Sequence, residues 1–268
     1  MDAIGQRKKL QYYLSISPMK SRIITLLFTL MITGCTAAVA IPAATIVPTS
    51  TQLPTLTLTP TAPSTPSPTI TFTPTPVLLP PGREIVFEGS SNFTGSLYGA
   101  GKTAIVLANM SIGGEKQWDP FVAAVDKQKF TTVTFNYRDI DDVGQDLELI
   151  LRRLKEEGFE RVICIGASLG TTACSSIARE PGIVGIVLIA GAVHHASVAE
   201  AMYPKLFISG ALDQRAFDIQ TGYEHAAEPK TLVLFENDRA HGTDLFRSKD
   251  ADQFLTLLID FVNSLASP

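Results

Sequence analysis

The sequence predicts an α/β fold in which a mostly parallel, twisted sheet carries helices on both faces. Three observations support this prediction. Short, continuously apolar runs recur along residues 82–268 and are typical of strands buried on both faces. Between them, apolar residues repeat at spacings of three and four, as in amphipathic helices. The two patterns alternate, and such alternation is typical of parallel strands joined by helices.

The elements follow in order along the chain. Arg83–Glu88 and Ser96–Tyr98 flank a turn-rich loop and are expected to pair as an antiparallel edge. The expected buried strands are Ala104–Ala108, Thr132–Phe135, Val162–Ile165, Gly185–Ala190, Lys205–Ser209 and Thr231–Phe235. Apolar stripes predict helices within residues 118–125, 143–154 and 254–265. Because ligands of such sheets bind at the carboxyl ends of the strands, we expect the functional residues in the loops that follow them.

The charge of the chain excludes several classes of function. Of its 22 basic and 26 acidic residues, five bases and one acid precede Gly82, so residues 82–268 carry 17 bases, 25 acids and a net charge of −8. Such a surface repels nucleic-acid phosphates and anionic lipid headgroups, so we expect no nucleic-acid partner. Three cysteines are too few for a disulfide scaffold. Metal-ligand spacing is absent from the sequence, so we expect neither a metal nor a cofactor.

The first 34 residues predict a secretion signal. Arg22 precedes the uncharged apolar run Ile23–Thr33, which is too short to cross a bilayer and has the length of a signal-peptide core. The run continues into Gly34 and Cys35, and this ending resembles the bacterial lipoprotein signal, in which the cysteine is lipidated and becomes the new N-terminus. The resemblance implies an extracytoplasmic protein anchored to the bacterial membrane through Cys35. A short buried helix is the alternative, and Met19 is an alternative start.

Residues 35–81 are expected to form an unpacked tether. Thr36–Pro81 contains 13 Thr and 11 Pro in 46 residues and has no charged residue. Such a composition offers too little apolar surface to offset the chain entropy lost on folding. A fully extended polyproline-like tether would reach roughly 140 Å. O-glycosylation of its Thr residues is an alternative that the sequence leaves open.

The chemistry is expected where one buried strand meets the next helix. Val162–Ile165 runs into Gly166-Ala167-Ser168-Leu169-Gly170, which is the G-x-S-x-G nucleophile elbow in its strand–turn–helix setting. The sharp turn lifts the Ser168 hydroxyl above the sheet, and glycines on either side leave room for neighbouring chain. The Leu169 N–H group begins the helix, where it can stabilise an oxyanion.

Two partners of Ser168 are expected on the same edge of the sheet. Asp213 follows strand Lys205–Ser209, and His241 follows strand Thr231–Phe235, in the chain order Ser, Asp, His. His241 would remove the proton from Ser168, and Asp213 would orient and stabilise the imidazole.

Other acids and histidines compete for these roles. Asp218 and Asp238 are the rival acids, and Asp213 could instead cap a helix. The adjacent His194 and His195 are expected at the pocket rim or partly exposed, in neither case catalytic, and His225 is expected on a helix surface.

These residues resemble the α/β-hydrolase superfamily over essentially all of residues 82–268, and small, lidless serine esterases and dienelactone-hydrolase-like members in particular. Similar proteins carry His-Gly-X after the first buried strand, with X donating the second oxyanion N–H. Here these positions read Asn109-Met110-Ser111, so Ser111 would donate, with Met110 as second choice. Only Gly191–Pro204 separates two strands between which many members insert a lid, so we expect no lid domain.

The sequence thus predicts a monomeric, surface-anchored serine hydrolase that cleaves small acyl or acetyl esters through an acyl-enzyme. The expected substrate is a small-molecule ester or an acylated cell-surface molecule. A non-catalytic binding module on the same fold, suggested by the altered Asn109-Met110-Ser111 segment, and an acyltransferase are the alternatives. Cys164 and Cys174 are expected to be buried free thiols, although a disulfide is possible outside the cytoplasm.

Overall fold

A computed structural model describes residues 79–266. The predicted signal, the predicted lipidation site Cys35 and nearly all of the predicted tether lie outside the described residues. No helix in residues 79–266 is long and apolar enough to cross a membrane.

The sheet has eight strands in the order β1-β2-β4-β3-β5-β6-β7-β8. Their bounds are β1 Arg83–Phe87, β2 Phe93–Gly99, β3 Thr103–Ala108, β4 Phe130–Phe135, β5 Arg161–Ala167, β6 Ile183–Ile189, β7 Lys205–Gly210 and β8 Lys230–Phe235. β1 and β2 pair antiparallel, β2 pairs antiparallel with β4, and every other pairing is parallel. The mostly parallel sheet and its antiparallel edge are therefore confirmed.

Helices cover both faces of the sheet, as predicted. Their bounds are α1 Asp119–Ala124, α2 Val143–Glu156, α3 Leu169–Ser176, α4 His195–Glu200, α5 Ala216–His225 and α6 Ala251–Ser264, with 3-10 helices at Glu115–Trp118 and Gly242–Arg247. Buried side chains of α2 to α5 pack on one face in a single cluster. Those of α1 and α6 pack on the other face. Each face thus buries its own apolar core.

Strand β4 begins two residues earlier than predicted. The prediction relied on apolar residues, whereas this strand also buries polar side chains. Thr131, Thr132 and Thr134 are each less than 4% exposed. The Thr131 hydroxyl donates to the Gly101 carbonyl at 2.8 Å, and the Thr132 hydroxyl donates to the Tyr98 carbonyl at 3.3 Å. Threonine therefore occupies a doubly covered strand at little cost, since its hydroxyl finds a backbone partner. An apolar-run criterion misses such positions.

The expectation of free thiols at Cys164 and Cys174 is wrong, because the two form a disulfide. Cys164 lies on β5 and Cys174 on α3, with their Cα atoms 5.7 Å apart and both side chains fully buried. The helix folds back along the strand that precedes it, which brings the two residues to the same depth. The bond therefore links the two elements that meet at Ser168.

We expect the double replacement Cys164→Ala/Cys174→Ala to lower the free energy of unfolding by about 3 kcal/mol, because the bond closes a short loop in the unfolded chain. Chemical denaturation at neutral pH measures this loss. Reductant present during unfolding should destabilise the unaltered protein and leave the double variant unchanged. Equal denaturation midpoints for the two proteins would contradict the expectation.

Candidate active site

Three loops at the carboxyl edge of the sheet bring Ser168, His241 and Asp213 together. Ser168 follows β5, Asp213 follows β7 and His241 follows β8. The Ser168 hydroxyl lies 2.8 Å from His241 Nε2, and His241 Nδ1 lies 2.9 Å from Asp213 Oδ2. With a carboxylate as acceptor, Nδ1–H donates to Asp213, and Nε2 is left to accept the Ser168 proton. The three residues thus form one continuous line of hydrogen bonds.

The backbone at Ser168 is held in a conformation that few residues adopt. Its φ is 53° and its ψ is −109°, in the positive-φ region that side chains disfavour. A Cβ atom on Gly166 would come within 2.0 Å of the Gly170 carbonyl oxygen, and one on Gly170 within 2.1 Å of the Ala108 carbonyl oxygen. The two glycines of the motif are therefore required by close backbone approach, as expected from the sequence.

Thr171, which sequence reasoning missed, fastens the elbow to the neighbouring strand. Its hydroxyl lies 3.0 Å from the Gly166 carbonyl and 2.8 Å from the Ile189 carbonyl, and it accepts from the Ile189 N–H group at 3.0 Å. The Ser168 N–H group also donates to the Ile189 carbonyl, at 2.8 Å. These hydrogen bonds to the end of β6 therefore stabilise the strained turn. The sequence signal that could have identified Thr171 is a hydroxyl residue in the first turn of the helix that follows the elbow.

Asp213 is oriented by its own loop. Its carboxylate is only 2% exposed, and its second oxygen accepts from the Arg215 N–H group at 2.6 Å. The hydrogen bond to Asp213 is the main cause that raises the pKa of the His241 imidazole above its ordinary value. Burial and the Arg215 cation oppose this rise, whereas the Asp213 and Asp244 charges add to it. The carboxylate therefore stabilises a proton on His241.

The raised pKa of His241 sets the expected pH dependence of any reaction in which this imidazole acts as a base. Only the neutral form accepts a proton, so kcat/KM should fall as the pH drops through a value above the ordinary imidazole pKa of about 6.5. The same shift stabilises the fold at acidic pH, a contribution lost as the pH rises through the raised pKa. A pH profile with a neutral ester measures the acid limb. A limb centred below about 6.5 would contradict this prediction.

The two acids that competed with Asp213 in the sequence, Asp218 and Asp238, have other partners. Asp218 forms an exposed ion pair with Arg215 at 2.8 Å. Asp238 accepts from the Ala240 N–H group at 2.7 Å, and its carbonyl accepts from Leu212 N–H at 2.9 Å. Asp238 thus links the loop of His241 to that of Asp213 without contacting the imidazole.

The other three histidines have partners outside the lining of the cleft. His225 is exposed on α5, as expected, and its ring stacks on that of His195 with centroids 4.5 Å apart. His194 is exposed, and its Nδ1 lies 3.1 Å from the Ser197 hydroxyl. The expectation that the pair could lie at the pocket rim is wrong, since the described residues that line the cleft include neither histidine. The short helix α4, which begins at His195, turns this segment towards α5 instead.

The altered segment after β3 has a structural explanation. Asn109 is buried, its side-chain oxygen accepts from the Trp118 indole N–H at 3.1 Å, and its side-chain nitrogen donates to the Phe135 carbonyl. Asn109 therefore fixes the loop through buried hydrogen bonds rather than lining the cleft. Met110 and Ser111, the two expected donors, both line the cleft together with Ser168. Leu169 begins α3 directly after Ser168, where N–H groups of the first helical turn lack helical partners.

The cleft above Ser168 has a volume of about 650 Å³. Its lining comes from four segments, which follow β3, β5, β7 and β8: Met110, Ser111, Ile112, Gly113, Lys116, Gln117, Ser168, Gln214, Arg215, His241, Asp244 and Arg247. Gln117 links two of these segments, because its side chain donates to the Ile112 carbonyl at 2.6 Å and accepts from the Thr243 hydroxyl at 2.9 Å. Sequence reasoning anticipated Ser168, His241, Met110 and Ser111 at this site. It did not anticipate the rest of the lining, which depends on contacts between distant loops.

Comparisons with known proteins identify the fold. Models of protein families and sequences of characterised proteins give no match. Among solved structures, the esterase domain of a Rhodothermus marinus protein matches with a TM-score of 0.58 and 15% identity over 67% of this chain and 96% of that one. The monoacylglycerol lipase of Paleococcus ferrophilus matches with a TM-score of 0.57 and 14% identity over 63% and 98% of the two chains. The carboxylesterase EstE1, from a metagenomic library, matches with a TM-score of 0.57 and 15% identity over 72% and 92%. The chain therefore has the α/β-hydrolase fold.

Proposed function

We propose that the protein is a serine hydrolase that cleaves carboxylic esters. The observation that carries the proposal is the unbroken line from the Ser168 hydroxyl through His241 to the buried Asp213 carboxylate, at the end of a strained strand–helix turn. Binding alone would not require a serine in a strained positive-φ conformation that is hydrogen-bonded to an imidazole. The structures that share the fold include esterases and a lipase, which supports an ester as the substrate class.

In the first half of the reaction, His241 Nε2 takes the hydroxyl proton of Ser168 as Oγ bonds to the ester carbonyl carbon. Negative charge develops on the carbonyl oxygen, where the N–H of Leu169 and that of Ser111 or Met110 would donate. The intermediate then collapses, the C–O bond to the alcohol breaks, and His241 returns its proton to the leaving alkoxide. The acyl group remains on Ser168 as an ester.

In the second half, His241 takes a proton from water, and the hydroxide oxygen bonds to the acyl carbon. The bond from that carbon to Ser168 Oγ breaks, and His241 returns the proton to Oγ. The product is a carboxylic acid, and the catalytic groups are restored. Asp213 stays ionised throughout and stabilises the imidazolium formed in each half.

The surroundings of the cleft favour small or short-chain acyl esters. Between β6 and β7 the chain forms only α4, of six residues, so this segment is too short to build a lid domain over the cleft. The apolar part of the lining, Met110 and Ile112, is small, and Ile112 is 79% exposed. Such a cleft offers little apolar surface to a long acyl chain, because stabilisation scales with the apolar area removed from water.

We also propose that the protein works outside the cytoplasm, held at the membrane by a lipid on Cys35. The apolar run Ile23–Thr33, the Gly34-Cys35 ending and the disulfide in the domain support this location. Detergent extraction of membranes tests it. The unaltered protein should require detergent, and Cys35→Ser should not incorporate labelled fatty acid. Incorporation by the variant would overturn the assignment of the lipid to Cys35.

Labelling with a fluorophosphonate probe tests the proposed chemistry. Mass spectrometry should find one adduct per chain, on the peptide that contains Ser168, and heat-denatured protein should remain unlabelled because the reaction needs the assembled site. Turnover of a short p-nitrophenyl ester should release acid and alcohol in equal amounts, which distinguishes hydrolysis from transfer to another acceptor. The proposal would be wrong if the native protein reacted with neither the probe nor the ester.

A further inference from the structure

The described residues that line the cleft carry a charge opposite to that of the domain. Residues 82–268 have a net charge of −8. In contrast, the lining contains three cations, Lys116, Arg215 and Arg247, and one exposed carboxylate, Asp244. The cations come from segments after β3, after β7 and after β8, so they surround the reacting hydroxyl from different directions. The side chains that line the cleft therefore have a net positive charge, although the domain as a whole is acidic.

Arg215 is the cation whose position is best defined. Its backbone N–H donates to Asp213 Oδ1 at 2.6 Å, which fixes it one step from the line of Ser168, His241 and Asp213. Its guanidinium also acts on His241, because its charge opposes the rise in the pKa of that imidazole. A substrate bound at Ser168 therefore lies within electrostatic reach of Arg215.

The three cations retain capacity to bind a ligand. The Arg215–Asp218 and Arg247–Asp244 pairs are exposed ion pairs of close neighbours on the chain, a type that contributes little to stability. Each pair uses one nitrogen of a guanidinium that carries five N–H donors. Within residues 79–266, the side-chain ammonium of Lys116 makes no hydrogen bond or ion pair, although its charge acts on Asp119, and its nearby acids Glu115 and Asp119 are outside the lining. A bound anion would supply the partner that Lys116 lacks.

We propose that the natural substrates are anionic esters, in which a carboxylate or phosphate group close to the scissile bond binds Arg215, Lys116 and Arg247. This inference rests on the proposed ester hydrolysis and names the substrate class of that same site. The planar guanidinium suits both anions, since it can donate two parallel hydrogen bonds to either. The acyl group would then lie against Met110 and Ile112.

Four phenyl acetates of matched shape test the inference: meta-acetoxybenzoate, its methyl ester, meta-acetoxyphenyl phosphate and meta-acetoxy-trimethylanilinium. Each kcat/KM is divided by the rate of cleavage by neutral imidazole, an uncharged nucleophile, which removes differences in intrinsic reactivity without adding a charge effect of the reference. At low ionic strength we expect at least one of the two anions to exceed the trimethylanilinium ester by about tenfold or more. The carboxylate and phosphate arms identify the preferred anion. About 0.5 M NaCl should reduce the preference several-fold by screening.

Charge variants connect the preference to the named cations. Lys116→Gln/Arg215→Gln should reduce the anion-to-cation ratio at least threefold, while activity on the methyl ester changes less. Lys102→Gln/Lys155→Gln is the matched control, because it also removes two positive charges, from exposed positions outside the cleft lining. The single variant Lys102→Gln removes one charge beside the amino end of β3. Both controls should leave the ratio unchanged.

The outcomes separate the two proposals. If the methyl ester is cleaved but the anions have an advantage below about twofold, or if Lys102→Gln/Lys155→Gln lowers the ratio as much as Lys116→Gln/Arg215→Gln, the anionic class is wrong and ester hydrolysis stands. Slowing of Ser168 labelling by each ester separately measures its apparent binding, which should show the same order of preference. Absence of both labelling and cleavage overturns the proposed function and the inference with it.

Discussion

We expect Ser168→Ala to lower kcat on a short p-nitrophenyl ester by at least roughly 10⁴-fold, and by up to about 10⁶-fold, and to abolish fluorophosphonate labelling. The hydroxyl is the group 2.8 Å from His241 Nε2, and alanine leaves no oxygen to form the acyl-enzyme. Because residues that act as one unit are not additive, the pair Ser168→Ala/His241→Ala should be no slower than either variant alone. Steady-state kinetics measures kcat for all three.

A second serine provides the control for this experiment. Ser176 lies in the same helix, α3, and its hydroxyl donates to the Ala173 carbonyl at 2.8 Å, within the helix itself. Ser176→Ala should therefore retain kcat within about twofold and still be labelled, since little more than a local hydrogen bond is lost. Turnover by Ser168→Ala above about a hundredth of the normal rate would show that another group is the nucleophile.

The second large effect is expected at Asp213. We expect Asp213→Asn to lower kcat/KM by roughly 10⁴-fold, because a neutral amide no longer holds the imidazole with Nε2 free to accept the Ser168 proton. Loss of the carboxylate also removes the main cause of the raised pKa of His241, so the acid limb of the residual activity should move to lower pH. A pH profile of kcat/KM measures both changes.

Asp218→Asn makes the comparison with the nearest rival. This change removes a carboxylate that is paired with Arg215 at the surface and does not contact His241. Activity on a neutral ester should stay within about threefold and the acid limb should not move, since exposed ion pairs are weak. If Asp218→Asn caused the larger loss, Asp213 would not be the acid of the site.

The elbow could be predicted because its information is local. Gly166, Ser168 and Gly170 are close in the chain, and the preceding apolar run identifies the strand. Asp213 and His241 could be placed because each follows an apolar run that predicts a strand, and parallel strands end at one edge. The run before His241 is the edge strand β8, of which only Phe235 is buried. The sheet was predictable for the same reason, apart from strand ends such as that of β4, where buried hydroxyls interrupt the apolar pattern.

The remaining features depend on contacts that no local pattern encodes. The Gln117–Thr243 hydrogen bond joins residues 126 positions apart, and it shapes a cleft that the sequence did not predict. The disulfide depends on how closely α3 folds back on β5, and this distance follows from side-chain packing rather than from spacing. Asn109 seemed to weaken the oxyanion loop until its partners, Trp118 and Phe135, were known.

The direction of β1 has a practical consequence. β1 pairs antiparallel with β2, and β2 pairs antiparallel with β4, so β1 runs in the same direction as the central strands. The first residue of β1, Arg83, therefore lies at the amino edge of the sheet, opposite to the loops that surround Ser168, and Leu79 before it packs against the core on the α1 and α6 face. A resin, tag or fusion partner joined before Leu79 therefore leaves the way into the cleft clear. The protein can be immobilised by its N-terminal side with its substrate access intact.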